Sequence, residues 1–165
     1  MAEAVASWVR EEAAPRVHEL GASLKAVENL ASFDCRSQNN IPGARLSEHG
    51  RANALDIHSL KLTDGKALVL TDPHVAKEFR QGLRQSVCAR FMTVLGPGSD
   101  GYHEQHVHID LAERRNGYRL CEWDVREPTA PAVTGSVPVP RPRPPTEDPA
   151  SHYGLRLQPL EGAHP

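Results

Sequence analysis

Apolar residues in the first twenty positions recur at helical intervals. Val5, Trp8, Val9, Val17 and Leu20 fall mostly on one stripe, which predicts an amphipathic helix over residues 3–20. Gly21 is placed to stop it. Pro15 lies inside it and predicts a kink or a division, because proline lacks an N–H and its ring collides with the preceding turn. Residues 24–35 read as a weak strand. Residues 54–62 alternate, with Ala54, Asp56, His58 and Leu60 assigned to one face. Thr63-Asp64-Gly65 is a turn signal and Ala67–Leu70 a second apolar run, so a hairpin is expected. Asp72-Pro73 reads as an N-cap followed by proline at the first helical position. Val75, Phe79, Leu83 and Val87 then recur every four residues, predicting a helix over 73–90. Phe91–Leu95 reads as a strand, Gly96–Gly101 as a tight loop and His103–Leu111 as the next strand. This order of elements predicts an α+β class with a mainly antiparallel sheet flanked by helices.

The periodic pattern ends near Pro128. Ten of the 14 prolines lie between Pro128 and Pro165, and Val137–Pro145 reads as extended or polyproline-like chain with few groups to bury. The expected organisation is a folded domain over 1–127 and a Pro-rich tail over 128–165, read as a linker or overhang in preference to a dedicated proline-motif ligand. A formal net charge of -2 gives no electrostatic case for a nucleic-acid or anionic-membrane partner. No apolar run approaches the ~20 residues of a membrane span. Met1-Ala2-Glu3-Ala4 lacks the basic and apolar regions of a signal peptide, so either the protein is not exported by that route or the chain is a mature or trimmed form. Cys35, Cys88 and Cys121 permit one disulfide with one thiol left over, or three buried small apolar side chains. No CxxC pair is present, which argues against a thiolate metal site.

Two stretches carry candidate chemistry. Ser47–Asp56 holds a His and an Asp seven positions apart, and His106-Val107-His108 follows fifty residues later. Imidazole nitrogen and carboxylate oxygen are the ligand types of a catalytic zinc site, in which three protein ligands leave a fourth position for water. On a strand, Glu104, His106, His108 and Asp110 are expected to share one face, with Val107 and Ile109 on the other. Such a polar row is costly to bury unpaired and is economical lining a metal cleft. His103 faces away on an ideal strand, or belongs to the preceding loop and lines the cleft. His58 reads as exposed.

Ser47-x-His49-x-x-Ala52-x-Ala54-x-Asp56 resembles the SxHxxGxAxD signature of the zinc peptidases grouped with D-Ala-D-Ala peptidases, lysostaphin and hedgehog domains. His106-x-His108 matches their closing motif, and the departure is Ala52 in place of Gly. More closely, Phe33-Asp34-Cys35-Arg36, Leu46–His49, Asn53–Ile57, Thr93–Gly98 and His106–Ala112 resemble the bacterial extensin-like C-terminal domain family, over about residues 5–124.

The resemblance implies Zn²⁺ held by His49, Asp56 and His108, with His106 as general base. It implies substrate contacts at Arg36 and Ser47, and His103 joins them as a nearby donor. By themselves, Arg36 reads equally as a surface residue or a partner of Glu48, and Ser47 as a turn cap. The implied activity is zinc-dependent hydrolysis of a peptide bond in peptidoglycan stem peptides or their cross-links, by an endopeptidase or carboxypeptidase in the periplasm or outside the cell. The competing expectation is a non-catalytic, zinc-stabilised cell-wall binding module.

Overall fold

The computed structural model describes residues 1–128; the expected Pro-rich tail lies outside the described residues. The helical N-terminus is divided, as Pro15 requires. α1 (Ala2–Trp8) passes into a π-helical turn, Val9–Ala13, and then into α2 (Ala14–Glu19). The wider turn relieves the clash between the proline ring and the carbonyl four residues back. Trp8 and Val17 are fully buried, whereas Leu20, assigned to the apolar stripe, is exposed. Gly21, at φ +75°, ends the helix as expected.

Among the described residues six strands follow in one sheet: β1 (Leu24–Ala31), β2 (Ala54–Leu62), β3 (Ala67–Val69), β4 (Thr93–Leu95), β5 (Val107–Asp110) and β6 (Leu120–Glu122). The order is β1-β2-β5-β4-β6, with β3 also on β2. All pairings are antiparallel except β4 with β6. The class is therefore α+β with a mainly antiparallel sheet. The single parallel pair was not anticipated: β6 is three residues long and has no periodic signal of its own.

Two further expectations are corrected. The helix α3 (Lys77–Arg90) starts four residues later than Asp72-Pro73 suggested. Asp72 caps a turn instead, its Oδ1 accepting from the His74 N–H at 2.8 Å. The buried Arg80 holds that turn by donating to the carbonyls of Val75 and Pro73. The second correction concerns β2. Its register against β1 steps from Glu28↔Ser59 to Asn29↔Ile57, so His58 is an extra residue, a β-bulge. A bulge reverses the alternation beyond it. Ile57, Leu60 and Leu62 therefore all enter the core, and Leu60 does not share a face with Asp56.

The core lies between the helices and one face of the sheet, where Trp8, Phe91, Ile57, Val94, Val107 and Ile109 are all fully buried. Cys88, near the end of α3, is disulfide-bonded to Cys121 of β6, with Cα atoms 5.7 Å apart. This ties the parallel edge strand to the helix. Cys35 is a free, exposed thiol rather than a buried one.

Candidate metal centre

The centre is assembled on the sheet face opposite the core. Asp56 of β2 and His108 of β5 are register partners, so strand pairing alone brings them together. His49 arrives from a 3-10 turn (His49–Arg51) just before β2. That turn reverses through Ala52, which adopts a left-handed conformation at φ +54°. Glycine occupies this conformation freely, and a Cβ there costs roughly 1–2 kcal/mol. This is the physical meaning of Gly in the resembling motif and of the departure at Ala52.

His49, Asp56 and His108 are all buried, and one ligand atom from each meets the others as a candidate metal site. His49 Nε2 is 3.2 Å from Asp56 Oδ1 and 3.2 Å from His108 Nδ1, and His108 Nδ1 is 2.9 Å from Asp56 Oδ1. Two ligand atoms held about 2.0–2.1 Å from a common tetrahedral centre stand roughly 3.3 Å apart, so this triangle has the size a metal needs. The outer partners strengthen the case. His49 Nδ1 is 2.7 Å from the Ser32 carbonyl and donates to it. His108 Nε2 is 3.1 Å from Asp110 Oδ2 and donates to that carboxylate. In its neutral form each ring carries its proton on the outer nitrogen and turns a lone pair inward. Two lone pairs and a carboxylate oxygen facing one point can hold a metal ion, or a proton carried by His108.

Protons compete with a metal ion for that point. Burial opposes charge on His108, but Asp110 and Asp56 on either side push its pKa up to about 9. Burial likewise opposes charge on Asp56, yet the His108 and His49 rings hold its carboxyl well below the usual carboxylate range. Asp110 follows the same logic, lowered by His108 against its own burial. His106 behaves differently. Burial lowers its pKa despite the nearby Asp56 charge, so it is neutral at pH 7.

His106 Nε2 stands 3.6 Å from Asp56 Oδ1, beside the triangle. His106 precedes β5, which begins at Val107. The expected polar row is therefore shorter than assigned. His108 and Asp110 are in it, but Glu104 is exposed and bonds the Gly98 N–H at 2.9 Å and Arg126 at 2.8 Å. His103 lies in the loop. It is buried, bonds Asp100 Oδ1 at 2.7 Å, and packs 5.1 Å from His106 and 5.5 Å from His108 between ring centres. Arg36 donates to Asp34 at 2.9 Å, and its Nη2 is 4.0 Å from Asp56 Oδ2; Glu48 instead accepts from Asn53 at 2.7 Å. Ser47 Oγ accepts the His49 N–H at 3.3 Å, a local turn bond beside the centre. Together with His49 and His108, the residues Arg36, Ser47 and His103 line a cleft of about 210 Å³. His58 is partly exposed and 3.8 Å from Glu28, away from the triangle.

Two participants escaped the sequence reading. Asp100 stands three residues before His103, a spacing that signals a local partner. Ser32 contributes a main-chain carbonyl, which no side-chain pattern reports.

Fold and site together define an α+β domain with a buried two-histidine, one-aspartate candidate metal centre at the end of a polar cleft. Residues 1–122 match the family model described as extensin-like protein C-terminus, and the chain belongs to that family. No curated protein and no solved structure matches it.

Proposed function

We propose that this protein is a zinc-dependent peptidase that cuts a peptide bond in peptidoglycan stem peptides or their cross-links. The observation that carries the hydrolase reading is the convergence of the His49, Asp56 and His108 side chains, with His106 beside them. Histidine and carboxylate donors without thiolate, in a three-ligand set, suit catalytic zinc. Zinc bound there supplies a Lewis acid that acidifies water and polarises a carbonyl. His106 Nε2 accepts the proton of the attacking water as its oxygen bonds the carbonyl carbon, and delivers it to the leaving amine nitrogen as the C–N bond breaks. Its neutral state at pH 7 suits the first of these tasks. His103 and Arg36 donate toward the developing oxyanion. His103 is oriented for this by Asp100.

The substrate class rests on the resemblance of the Ser47–Asp56 and His106–His108 motifs to zinc peptidases of the bacterial wall. The Cys88–Cys121 disulfide supports an exported, oxidising location. The test is digestion of purified peptidoglycan and defined muropeptides, with new termini identified by mass spectrometry. Cleavage is expected to vanish with a chelator and return with Zn²⁺. Folded, zinc-loaded protein that releases no new amino termini would overturn the peptidase reading and leave a zinc-stabilised wall-binding module.

A further inference from the structure

We propose that Arg45 and Arg114 form a subsite that reads a carboxylate of the peptide substrate. The inference rests on the peptidase reading and adds a determinant of specificity to it. Both arginines line the cleft that ends at His49 and His108, and they come from separate segments. Arg45 belongs to the loop whose ends are joined by the Ser37↔Leu46 bridge. Arg114 follows β5. Every acidic side chain on the cleft already has an internal partner: Asp110 has His108, Asp100 has His103, and Glu48 has Asn53. The two arginines differ. Among the described residues neither forms an ion pair. Arg45 donates through Nε to the neutral Gln38 Oε1 at 2.9 Å, and Arg114 through Nη1 to the Met92 carbonyl at 2.9 Å. One N–H of each is used to fix its position, and among the described residues the rest of each guanidinium fork has no partner. A guanidinium anchored by a neutral acceptor keeps its full charge and its paired donors for a planar anion. A carboxylate matches that fork, and a stem peptide offers one at its C-terminus or on an acidic side chain.

The test uses the full zinc-loaded chain and short peptides of stem composition in three forms: free acid, C-terminal amide, and side-chain amide. Binding is measured by calorimetry and cleavage by mass spectrometry. Amidating the recognised carboxylate is expected to weaken binding on the order of tenfold, as loss of a charge-assisted hydrogen bond does. Which amide weakens it identifies the carboxylate. Arg45→Gln and Arg114→Gln should each bind acid and amide more nearly alike, while Arg114→Lys keeps part of the preference. Cleavage with no carboxylate preference, or a preference that survives both Gln variants, overturns the subsite and leaves the peptidase reading standing. Carboxylate-dependent binding without cleavage overturns the peptidase reading and leaves the subsite. Absence of binding by all three forms overturns the subsite, with cleavage then deciding the reading beneath it.

Discussion

Val107 and Ile109 point from β5 into the apolar core beside Phe91 and Val94, whereas His108 and Asp110 point from the same four residues into the candidate metal centre. All four side chains are buried. The core pair is buried because water rejects it, at about 1.5–3 kcal/mol for each side chain. The polar pair is buried against its own preference and persists because hydrogen bonds satisfy it. One strand therefore carries two kinds of burial side by side. On one face contact area decides the energy, and on the other the geometry of a few atoms does.

Asp56→Ala breaks the comparison most strongly. It deletes the anion from the centre and should abolish stoichiometric zinc binding, with hydrolysis falling by at least about a thousandfold. Metal analysis and muropeptide turnover check this, and retained zinc would remove Asp56 from the ligand set. Ile109→Ala breaks the other face. A cavity in this core should cost about 2–5 kcal/mol in denaturant unfolding, while zinc stoichiometry in the folded protein stays unchanged. Loss of zinc from the folded variant would show that the two faces are not separable.

The smallest effect sharpens the comparison through pH. In chelated protein His108 is raised to about 9 from its ordinary 6.5, so its contribution to stability is complete below about 6.5 and is lost as pH rises toward 9. Asp56 is lowered, so its contribution is present above its ordinary 3.8 and is lost as pH falls below that value. The melting temperature of chelated protein should therefore decline from pH 6.5 to 9. The stabilisation added by Zn²⁺ should grow over the same interval, because metal and proton compete for the same lone pairs. A flat profile for chelated protein would show that His108 is not raised.

The residues of the candidate triangle were legible in the sequence because two short stretches hold them, and the choice of His108 over His106 came from the family resemblance. His49 and Asp56 flank one turn, and His108 of β5 supplies the distal histidine. The antiparallel frame was legible for a similar reason, since Thr63-Asp64-Gly65 announces the β2–β3 hairpin. What failed had non-local causes. The bulge at His58 depends on how β1 pairs with β2, so strict alternation placed Leu60 on the wrong face. The start of α3 was misread because Asp72-Pro73 suits a turn as well as a helix N-terminus, and Arg80, eight residues from Asp72, stabilises the turn. Glu104 was carried into the polar row because nothing in residues 103–106 reveals that the strand begins only at Val107. The β4–β6 pairing depends on a tertiary contact and on the disulfide, and neither has a periodic signature.

The proton of His49 is held by the Ser32 carbonyl, a main-chain atom. The identity of residue 32 is therefore nearly immaterial to the centre, while its distance along the chain from β1 is not. A library of point substitutions at 32 would pass almost unnoticed. A single inserted or deleted residue between Ala31 and Asp34 would turn a different peptide unit toward His49 and release the ring's tautomer. Over long divergence position 32 is free to drift in composition while the stretch around it is bound in length, so aligned copies of the domain should show varied letters at 32 without gaps.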